Sequence, residues 1–422
     1  MPLPDVLRNR DFNLYWSGVV LSQIGTRGTV AASLYQIYEM TGSVWQTGLV
    51  GGAQAVALLV LSPLGGAYAD RMDRRRLLQW AQGVALLVAG LLAVLTLSGA
   101  VEPWHVLVAV LLTTAAATFD QPARQALIPA MVSRHQLPQA FALLNPSREV
   151  AVLVGPAIAG VLIAVGGPGL MYAVDAVSYA VLIVVLAAVR VPTLVADGTP
   201  RSVWHQIMEG ARFVAHRRLI WTLMSLDLSA TLFGAYRVVL PALAIDVLDV
   251  GPTGYGVLSA APSAGALLAT YVVFRVVDRS RRLGRVLLVS TVLYGLSTVL
   301  LAQSPVFLLA VVAAGLVGAF DAMATSIRHA AVQLETPDEL RGRVSSIYQM
   351  SSRGGPAVGD MVVGAVAGVV GPVAALTAGG LVSVGYAGSY LTRRNTVREY
   401  RGVEEPAAPA SAEGPDARPV KG

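Results

Sequence analysis

Residues Gly65 to Leu78, with the sequence GGAYADRMDRRRLL, place four arginines and two aspartates between two long apolar runs. Each run is about 20 residues long, which is enough for a helix to cross the hydrocarbon core of a bilayer. A segment with this much charge is excluded from hydrocarbon, because each charge there costs roughly 2.5 to 3.5 kcal/mol. We therefore predict two membrane-spanning helices joined by a charged loop at the membrane surface.

The composition of the whole chain also indicates a membrane protein. Hydrophobic residues make up 55% of the 422 residues, charged residues only 13%, and the mean hydropathy is +0.62. Soluble globular proteins carry roughly 25% charged residues, so this chain has too few for a water-facing surface. At about 20 residues per span, the apolar content suffices for about twelve helices. The predicted fold class is an all-α membrane protein.

The sequence excludes several other classes of protein. The net charge of +6 comes from arginines in short clusters between apolar runs, so we predict no nucleic-acid partner. The chain has no cysteine, and its five histidines fall in connectors or near span ends, which argues against a metal site. It contains neither a Gly-Lys-Ser/Thr phosphate-binding loop nor a nucleophile elbow, so we predict no enzyme and no cofactor.

The positions of the arginines predict the topology. Apolar windows place twelve spans in order at residues 14–38, 46–69, 76–98, 104–126, 138–165, 170–190, 219–245, 254–277, 284–302, 305–328, 342–369 and 373–392. The connectors after the odd-numbered spans contain neither Lys nor Arg, whereas the connectors on the opposite side hold the arginine clusters. Because basic residues stay in the cytoplasm, we predict a multi-pass protein of the cytoplasmic membrane with both termini cytoplasmic.

The longest connector divides the twelve spans into two sets of six. The predicted domains are an N-terminal six-helix bundle (1–190), a cytoplasmic linker (191–218), a C-terminal six-helix bundle (219–394) and a disordered cytoplasmic tail (395–422). Apolar residues recur at helical spacing in the linker at Val203, Ile207 and Val214. They predict an amphipathic helix that lies on the inner membrane surface.

A weak internal repeat relates the two sets of spans. Phe119-Asp120, near the end of the fourth span, is echoed by Phe320-Asp321 near the end of the tenth. The charged stretch at 65–78 has a fainter copy at 278–285. Two homologous halves in parallel orientation are typical of secondary transporters, whose binding site lies between the halves near the membrane midplane. We therefore predict a transporter of a small molecule, driven by an ion gradient.

Ionisable and polar groups inside the spans are the candidate site residues, because such groups are costly there and face a cavity or one another. The candidates for substrate or proton binding are Arg27, Asn145, Arg148, Glu149, Asp175 and Asp227. Arg27 has no acid nearby in sequence, so it contacts either an anionic substrate group, a coupling carboxylate or a structural partner. Arg148 and Glu149 have a structural and a functional interpretation of equal weight.

Asp175 and Asp227 are lone acids in the sixth and seventh spans, and intramembrane carboxylates are the usual proton carriers of transporters. For Asp175 we favour a structural role, in which it caps or pairs with a neighbouring helix. The remaining charged residues are expected to join helices to one another. They are Asp120, Arg124, Asp321 and Arg328 as inter-helix locks, and Arg353 and Asp360 as partners of other spans.

The motifs resemble those of the major facilitator superfamily over nearly the whole chain. Gly66, Asp70 and Arg71, followed by Arg75, match its signature between the second and third spans, except that Asp73 replaces a glycine. The stretches 7–16 and 119–129 resemble the bacterial subgroup that contains enterobactin and macrolide exporters. Gly155, Pro156 and Gly160 are similar to the helix-packing motif of antiporters in the family.

This resemblance implies proton-coupled efflux of amphipathic small molecules, of drug, macrolide or siderophore type, by alternating access of a monomer in the lipid bilayer. Two alternatives stay open. A symporter would import a small organic anion through Arg27 and Arg148. A non-transporting receptor is ranked well below both, because it predicts a sizeable soluble output domain, and the only extra segments are the linker helix and the tail.

The same motif leads to a specific hypothesis for the opening stretch. We predict a cytoplasmic latch formed by Gly66, Asp70, Arg71, Arg75, Arg341 and Arg343. In it, Asp70 meets Arg341 or Arg343 at the inner end of the eleventh span when the site faces outward. Breaking the latch then favours the inward-open state.

Overall fold

The computed structural model describes residues 5–69, 73–190, 203–280 and 282–402, and these residues are helical with no β-strand. The α-helices are α1 (Arg10–Thr41), α2 (Val44–Ala69), α3 (Arg74–Leu97), α4 (Pro103–Met131), α5 (Leu137–Gly166), α6 (Pro168–Ala188), α7 (Val203–His216), α8 (Arg218–Phe233), α9 (Leu240–Ala242), α10 (Gly251–Arg279), α11 (Leu283–Ala302), α12 (Phe307–Leu334), α13 (Asp338–Val370), α14 (Pro372–Thr392) and α15 (Thr396–Glu399). Short 3-10 turns (Asp5–Arg8, Arg134–Gln136) and a π-helical turn (Leu243–Val247) complete the list. The fold is the predicted all-α class.

Polar residues at the helix ends explain where several helices start. The Asn9 side chain accepts a hydrogen bond from the Phe12 amide at 3.2 Å and caps α1. Asp73 caps α3 in the same way, because its carboxylate accepts from the Arg76 amide at 3.0 Å. The acid that departs from the superfamily signature therefore serves as a helix cap. Gly42 ends α1 with φ of +59°, a conformation that glycine adopts without strain.

Helix length and hydropathy alone identify fewer membrane spans than the twelve predicted from the sequence. Among the described residues, eight helices are long and apolar enough to cross a membrane by themselves. Of the other long helices, α1 and α13 carry charged residues within their length, such as Arg27 and Asp360, and α8 has only 16 residues. These helices pack among the apolar ones, so burial against neighbours compensates for their lower hydropathy.

The helices form two groups, which we call the N-terminal half (α1–α6) and the C-terminal half (α8–α14). In the N-terminal half α1 packs against α5 and α6, while α3 packs against α4 and α6. In the C-terminal half α10 and α11 pack against α12, and α14 packs against α11 and α8. The linker helix α7 lies against α13. The two halves contact each other mainly through two helix pairs, α2 with α13 and α5 with α10.

Contacts between the halves concentrate at one end of the molecule, where the connectors lack Lys and Arg; we call it the arginine-poor end. A Cβ atom built on Gly160 of α5 would lie 2.7 Å from Gly256 Cα of α10. A Cβ on Gly364 of α13 would lie 2.7 Å from Gly48 Cα of α2. Only glycine permits such an approach of two helix backbones. The halves are therefore tightly closed at this end.

The opposite end, which carries the arginine clusters, lacks such close glycine contacts between the halves among the described residues. We call it the arginine-rich end. Toward it, a Cβ on Gly354 of α13 would lie 3.6 Å from Leu59 Cδ2 of α2, which is an ordinary side-chain contact. Phe141 on α5 and Met350 on α13 are 39% and 38% exposed. The backbones of α2 and α13 are therefore farther apart toward this end.

The seventh predicted span, 219–245, is not one continuous helix. Helix α8 ends at Phe233, residues 234–239 turn away from helical geometry, and helix resumes at Leu240 with Pro241 in its first turn. Proline has no amide hydrogen to continue a helix, which favours a break before it. The Tyr294 hydroxyl donates to the Gly234 carbonyl at 2.9 Å and satisfies a group that the break leaves free. Arg237 lies within this break, outside both helices.

The predicted disordered tail also starts later than expected. Residues 396–399 form α15, which packs on α11, and the Gly284 amide donates to the Tyr400 carbonyl at 3.0 Å. Val397 and Tyr400 are buried in this contact. The start of the tail at residue 395 is therefore wrong, because these apolar side chains find a surface to cover. Residues 403–422 of the predicted tail lie outside the described residues.

Candidate functional site

Arg27 lies on α1 where this helix makes its closest approach to α5. A Cβ on Gly155 would lie 2.6 Å from Arg27 Cβ and 2.9 Å from the Gly28 amide nitrogen. The missing side chain at Gly155 therefore lets the α1 backbone approach α5 and leaves room for the start of the Arg27 side chain. Arg27 is partly buried, and its guanidinium reaches toward the space between the halves.

Four arginines from both halves lie near the space between the halves, and we call them the arginine cluster. Arg148 of α5, Arg237 of the α8–α9 break, Arg353 of α13 and one acid, Glu149, are near enough for their charges to influence Arg27. Arg148 and Arg353 also interact with each other. Three helices and the break between α8 and α9, which are distant in sequence, therefore bring positive charge to one region between the halves.

Arg237 is the member of the cluster that sequence reasoning missed. Its Nη2 atom lies 2.5 Å from Asp360 Oδ2 on α13, and the Asp360 side chain is 2% exposed against 36% for Arg237. Asp360 lies where α2 crosses α13, and a Cβ built on Gly51 of α2 would lie 2.5 Å from the Asp360 Cβ. A single arginine inside an otherwise apolar window was the available signal, since such residues are rare and functional.

Arg353 joins the two halves. Its Nη1 donates to Oε1 of Gln121 on α4 at 2.6 Å, across the space between α13 and the N-terminal half. The predicted partnership of Arg353 with another span is therefore made with a neutral amide. Within the described residues Arg353 has no ion pair with a carboxylate. Its charge is left uncompensated by this contact.

The predicted candidates on α5 lie in the part of this helix that is nearer the arginine-rich end. Asn145, Arg148 and Glu149 are all exposed. Among the ion pairs of the described residues none joins Arg148 to Glu149, because adjacent residues on a helix point in different directions. Pro146 and Pro156 lie inside α5 and each removes a backbone hydrogen bond, so this helix is open to bending.

Asp227 is not the lone acid that the sequence suggested. It forms an ion pair with Arg328 of α12, and the Arg328 side chain is 1% exposed. The predicted role of Arg328 as an inter-helix lock agrees with this contact between α8 and α12. The corresponding pair in the other half differs, since Asp120 and Arg124 lie one turn apart on α4 at 2.5 Å.

Asp175 has the more unusual surroundings of the two acids. It is fully buried on α6, and its neighbours are the hydroxyl groups of Thr29, Ser178 and Tyr179. Ser178 donates to Asp175 Oδ1 at 3.2 Å, while Oδ2 has no hydrogen-bond partner among the described residues. The backbone of α1 passes it at Gly25. Asp175 therefore lies against α1, and its favoured role of capping or pairing with a neighbouring helix stays a prediction.

Part of the predicted latch lies outside the described residues, namely Asp70 and Arg71. Gly66 lies in the last turns of α2. The other members have partners of their own in this structure: Arg75 Nη2 donates to the Ala187 carbonyl at 2.7 Å, Arg341 pairs with Asp338 at 2.5 Å, and Arg343 pairs with Glu209 of α7. The latch therefore stays a prediction.

The predicted packing residues on α5 lie at two separate helix crossings. Gly155 lies against α1, as described above, and Gly160 lies against α10. The carbonyl of Pro156 is 2.9 Å from the position of a Cβ on Gly256. Residues 155–160 of α5 thus contact both α1 of the same half and α10 of the opposite half.

An apolar cavity of about 270 Å³ lies elsewhere, between α10, α11 and α12. Its walls include Val273, Leu283, Ile327 and Tyr400, and none of the predicted site residues. Within the described part of the chain, no group of His, Asp and Glu side chains could hold a metal ion. The arginine cluster and the buried Asp175 are therefore the groups that carry the chemistry considered below.

Comparison of the sequence with known proteins gives one family and a set of relatives. The family described as "transmembrane secretion effector" (MFS_3) matches residues 4–409. The chain is 30% identical over 354 residues to the enterobactin exporter EntS of Shigella boydii serotype 18, with 82% of each chain covered. It is 29% identical over the same length to EntS of Escherichia coli O139:H28, again with 82% of each chain covered.

Comparison of the fold leads to solved transporter structures. The nucleoside transporter NupG superposes with a TM-score of 0.71 at 14% identity and covers 90% of this chain and 98% of its own. A bacterial homologue of the iron transporter ferroportin, in an inward-facing state, gives 0.66 at 15% identity, with 90% and 98% covered. At these identities the likeness shows the shared fold and not a shared substrate.

Proposed function

Because the chain belongs to the transmembrane secretion effector family of the major facilitator superfamily, we propose that it is a proton-coupled exporter of amphipathic small molecules in the cytoplasmic membrane. It is a multi-pass membrane protein and a secondary transporter, not an enzyme. Export is the direction named for the enterobactin exporters that it matches over 82% of their length. A drug, a macrolide or a siderophore is the class of molecule that we expect it to carry.

The observation that carries the proposal is the unequal contact between the halves. They touch backbone to backbone at Gly160 and Gly256 near the arginine-poor end, while toward the arginine-rich end a Cβ on Gly354 of α13 would meet only the Leu59 side chain of α2, at 3.6 Å. Basic connectors stay in the cytoplasm, so the open side is the cytoplasmic side, with both termini there. A molecule in the cytoplasm then has access to the arginine cluster, as an exporter requires.

Alternating access is the mechanism that we assign to this geometry. Residues 1–190 and 219–394 are the two moving bundles, 191–218 is the cytoplasmic linker, and one chain is sufficient. Rocking of one bundle against the other separates the glycine contacts at the arginine-poor end and closes the arginine-rich end. When the arginine-rich end is closed and the site faces outward, we expect Asp70 to meet Arg341 or Arg343, as the predicted latch requires.

Asp175 is our candidate for the proton carrier. It is buried beside α1 with hydroxyl neighbours and without a basic partner in the described residues, whereas Asp227 already has Arg328. Adding a proton to an unpaired buried carboxylate changes its charge and its contact with α1, which passes it at Gly25 and also carries Arg27. Protonation at Asp175 is thereby coupled to the position of a cluster arginine.

The proposal is tested by transport into everted membrane vesicles, with a panel that contains a macrolide, a siderophore and a fluorescent amphipathic carboxylate. We expect uptake of at least one compound that stops when nigericin collapses the pH gradient. Asp175→Asn should abolish the gradient-driven part while downhill exchange of the compound continues. Glu339→Gln, which alters an exposed acid of α13 that forms no ion pair among the described residues, is the control and should leave transport unchanged.

Uptake that is unaffected by the pH gradient would contradict proton coupling. Retention of gradient-driven transport in Asp175→Asn would remove this residue as the carrier. A second candidate function, import of an organic anion with protons, is favoured by the arginine cluster alone. Accumulation of the compounds by intact cells that express the protein would support import, and faster clearance would support export.

A further inference from the structure

We infer that the arginine cluster is a binding site for a carboxylate group, and that the transported molecule is an amphipathic carboxylate. This inference rests on the proposed function, because it names the class of molecule that enters from the arginine-rich end. Nothing in the likeness to other transporters at 14% to 15% identity specifies such a group. The evidence is the charge balance, the symmetry and the surroundings of the four arginines.

The charge balance of the region favours an anion. The four arginines face two acids, Glu149 and Asp360, and the carboxylate of Asp360 is already held by Arg237. In the described residues Arg27, Arg148 and Arg353 have no ion pair with a carboxylate. Like charges repel, and the repulsion is strongest where water is partly excluded. A bound anion removes this cost.

The arrangement of the cluster follows the internal repeat. Arg27 is on the first span and Arg237 on the seventh, while Arg148 is on the fifth and Arg353 on the eleventh. Spans one and seven, and spans five and eleven, are the corresponding helices of the two halves. Each half therefore contributes two arginines, one from each of these two pairs of corresponding spans. A ligand held by all four lies near the axis that relates the halves, where transporters of this architecture bind their substrates.

The cluster also has depth along the path from the arginine-rich end. Arg148 precedes Gly155 by seven residues, which is close to two helical turns or about 10 Å, and Arg27 lies at the level of Gly155. Arg353 precedes Asp360, the partner of Arg237, by the same interval. Arg148 and Arg353 thus form an exposed outer pair, and Arg27 and Arg237 an inner pair. A carboxylate can pass from the first pair to the second.

The neighbours of the outer pair explain why the ligand should be amphipathic. Phe141 lies two turns before Arg148 on α5 and Met350 one turn before Arg353 on α13, and they are 39% and 38% exposed, so apolar surface adjoins the charged groups. A planar guanidinium with two parallel N–H donors matches a carboxylate in a bidentate contact. The charged group would engage the arginines while a hydrophobic body covers the apolar side chains.

The inference is tested with purified protein in nanodiscs and a dansyl-labelled medium-chain carboxylic acid as the probe. The comparison ligands are its methyl ester, its primary amine analogue and its sulfonate analogue, measured by fluorescence titration. We expect the carboxylate to bind at least tenfold more tightly than the ester and the amine. Equal affinity of the carboxylate, the ester and the amine would overturn the inference without the use of any variant. Tighter binding of the sulfonate than of the carboxylate would overturn the carboxylate assignment.

Variants locate the site. Arg148→Gln and Arg353→Gln should each weaken binding of the carboxylate about tenfold or more and leave binding of the ester unchanged. Arg393→Gln, an exposed arginine at the arginine-rich end, is the matched control and should have no effect. Arg148→Lys keeps the positive charge. We expect it to bind the carboxylate more tightly than Arg148→Gln does, and it replaces Arg148→Gln in the comparison if that variant folds poorly. Unchanged carboxylate affinity in both glutamine variants would contradict the assignment of the site.

The two proposals fail in different ways. If everted vesicles take up only neutral or cationic compounds and the probe does not bind, the exporter stands and the carboxylate site is wrong. If the probe binds through the cluster but no compound enters everted vesicles or leaves cells, the site stands and the exporter is wrong.

Discussion

The ion pair between Arg237 and Asp360 shows how a single residue changes the interpretation of a span. The pair lies where α2 crosses α13, and Asp360 is almost fully buried while Arg237 is partly open to the space between the halves. It therefore connects the arginine cluster to the contact that closes the arginine-poor end. Movement of Arg237 toward a bound anion would weaken its hold on Asp360, and so on this contact.

Removal of the Asp360 charge is predicted to destabilise the protein. Asp360→Asn leaves Arg237 without its partner, and loss of one member of a buried pair costs about 3 to 5 kcal/mol, which we reduce to about 1 to 3 kcal/mol because Arg237 is partly solvated. Thermal unfolding in detergent measures the change. Asp338→Asn, at the exposed pair with Arg341 on the same helix, is the control and should cost under about 1 kcal/mol. Equal losses in the two variants would contradict a special role for Asp360.

At the residue scale, the sequence identified candidate site residues better than it identified the residues that they contact. Arg27, Arg148 and Glu149 come together in the structure, because α1 and α5 meet at Gly155. The partner of Asp227 was out of reach, since it lies 101 positions away on α12. A pattern within one helix carries no information about which distant helix packs on it.

At the scale of helices, the glycine contacts between α5 and α10 control closure of the arginine-poor end. A Cβ on Gly256 would lie 2.8 Å from Gly160 Cα and 2.9 Å from the Pro156 carbonyl oxygen. A larger side chain must push the two helices apart, and overpacking of this kind costs about 1 to 3 kcal/mol. A larger side chain therefore destabilises the state that is closed at the arginine-poor end by this amount.

Gly256→Leu is accordingly predicted to open the arginine-poor end and to lower transport. Labelling of a cysteine introduced at Tyr255, which is 1% exposed, reports the opening. Gly83→Leu is the matched control, because a Cβ at Gly83 of α3 meets nothing within 4 Å. We expect faster labelling only in the Gly256 variant. The same labelling rate in both variants, with full transport, would mean that this contact does not gate the site.

The helices themselves were largely predictable, and their irregularities were not. Alternation of apolar windows with arginine-free connectors is a local pattern, so helix positions such as Val44–Ala69 and Leu283–Ala302 follow from it. The break after Phe233 depends on Tyr294 of α11, and the order of residues 396–399 depends on a docking surface on α11. Both are tertiary effects that a span-by-span reading does not contain.

At the scale of the whole molecule, two related halves enclose a positively charged region that is open on the side of the arginine clusters. The six-plus-six repeat in the sequence anticipates this arrangement, since Asp120 and Asp321 mark equivalent helices. The state of the molecule was beyond sequence reasoning, because the same chain must pack in at least two ways during transport. Which end is closed depends on contacts such as Gly48 with Gly364.

The central claim is that the two ends open and close in opposition, driven by protons and substrate. The chain has no cysteine, so spin labels can be placed at chosen pairs without removing native ones. Exposed residues His135 and Gly342 mark the two halves at the arginine-rich end, and Ala100 and Pro305 mark them at the arginine-poor end. Distances within each pair are measured by double electron–electron resonance in nanodiscs, at high and low pH, with and without the amphipathic carboxylate.

We predict that the distance between His135 and Gly342 shortens as that between Ala100 and Pro305 lengthens, and that Asp175→Asn suppresses the response to pH. Distances that change in the same direction at both ends, or that do not respond to pH or to the carboxylate, would contradict proton-coupled alternating access.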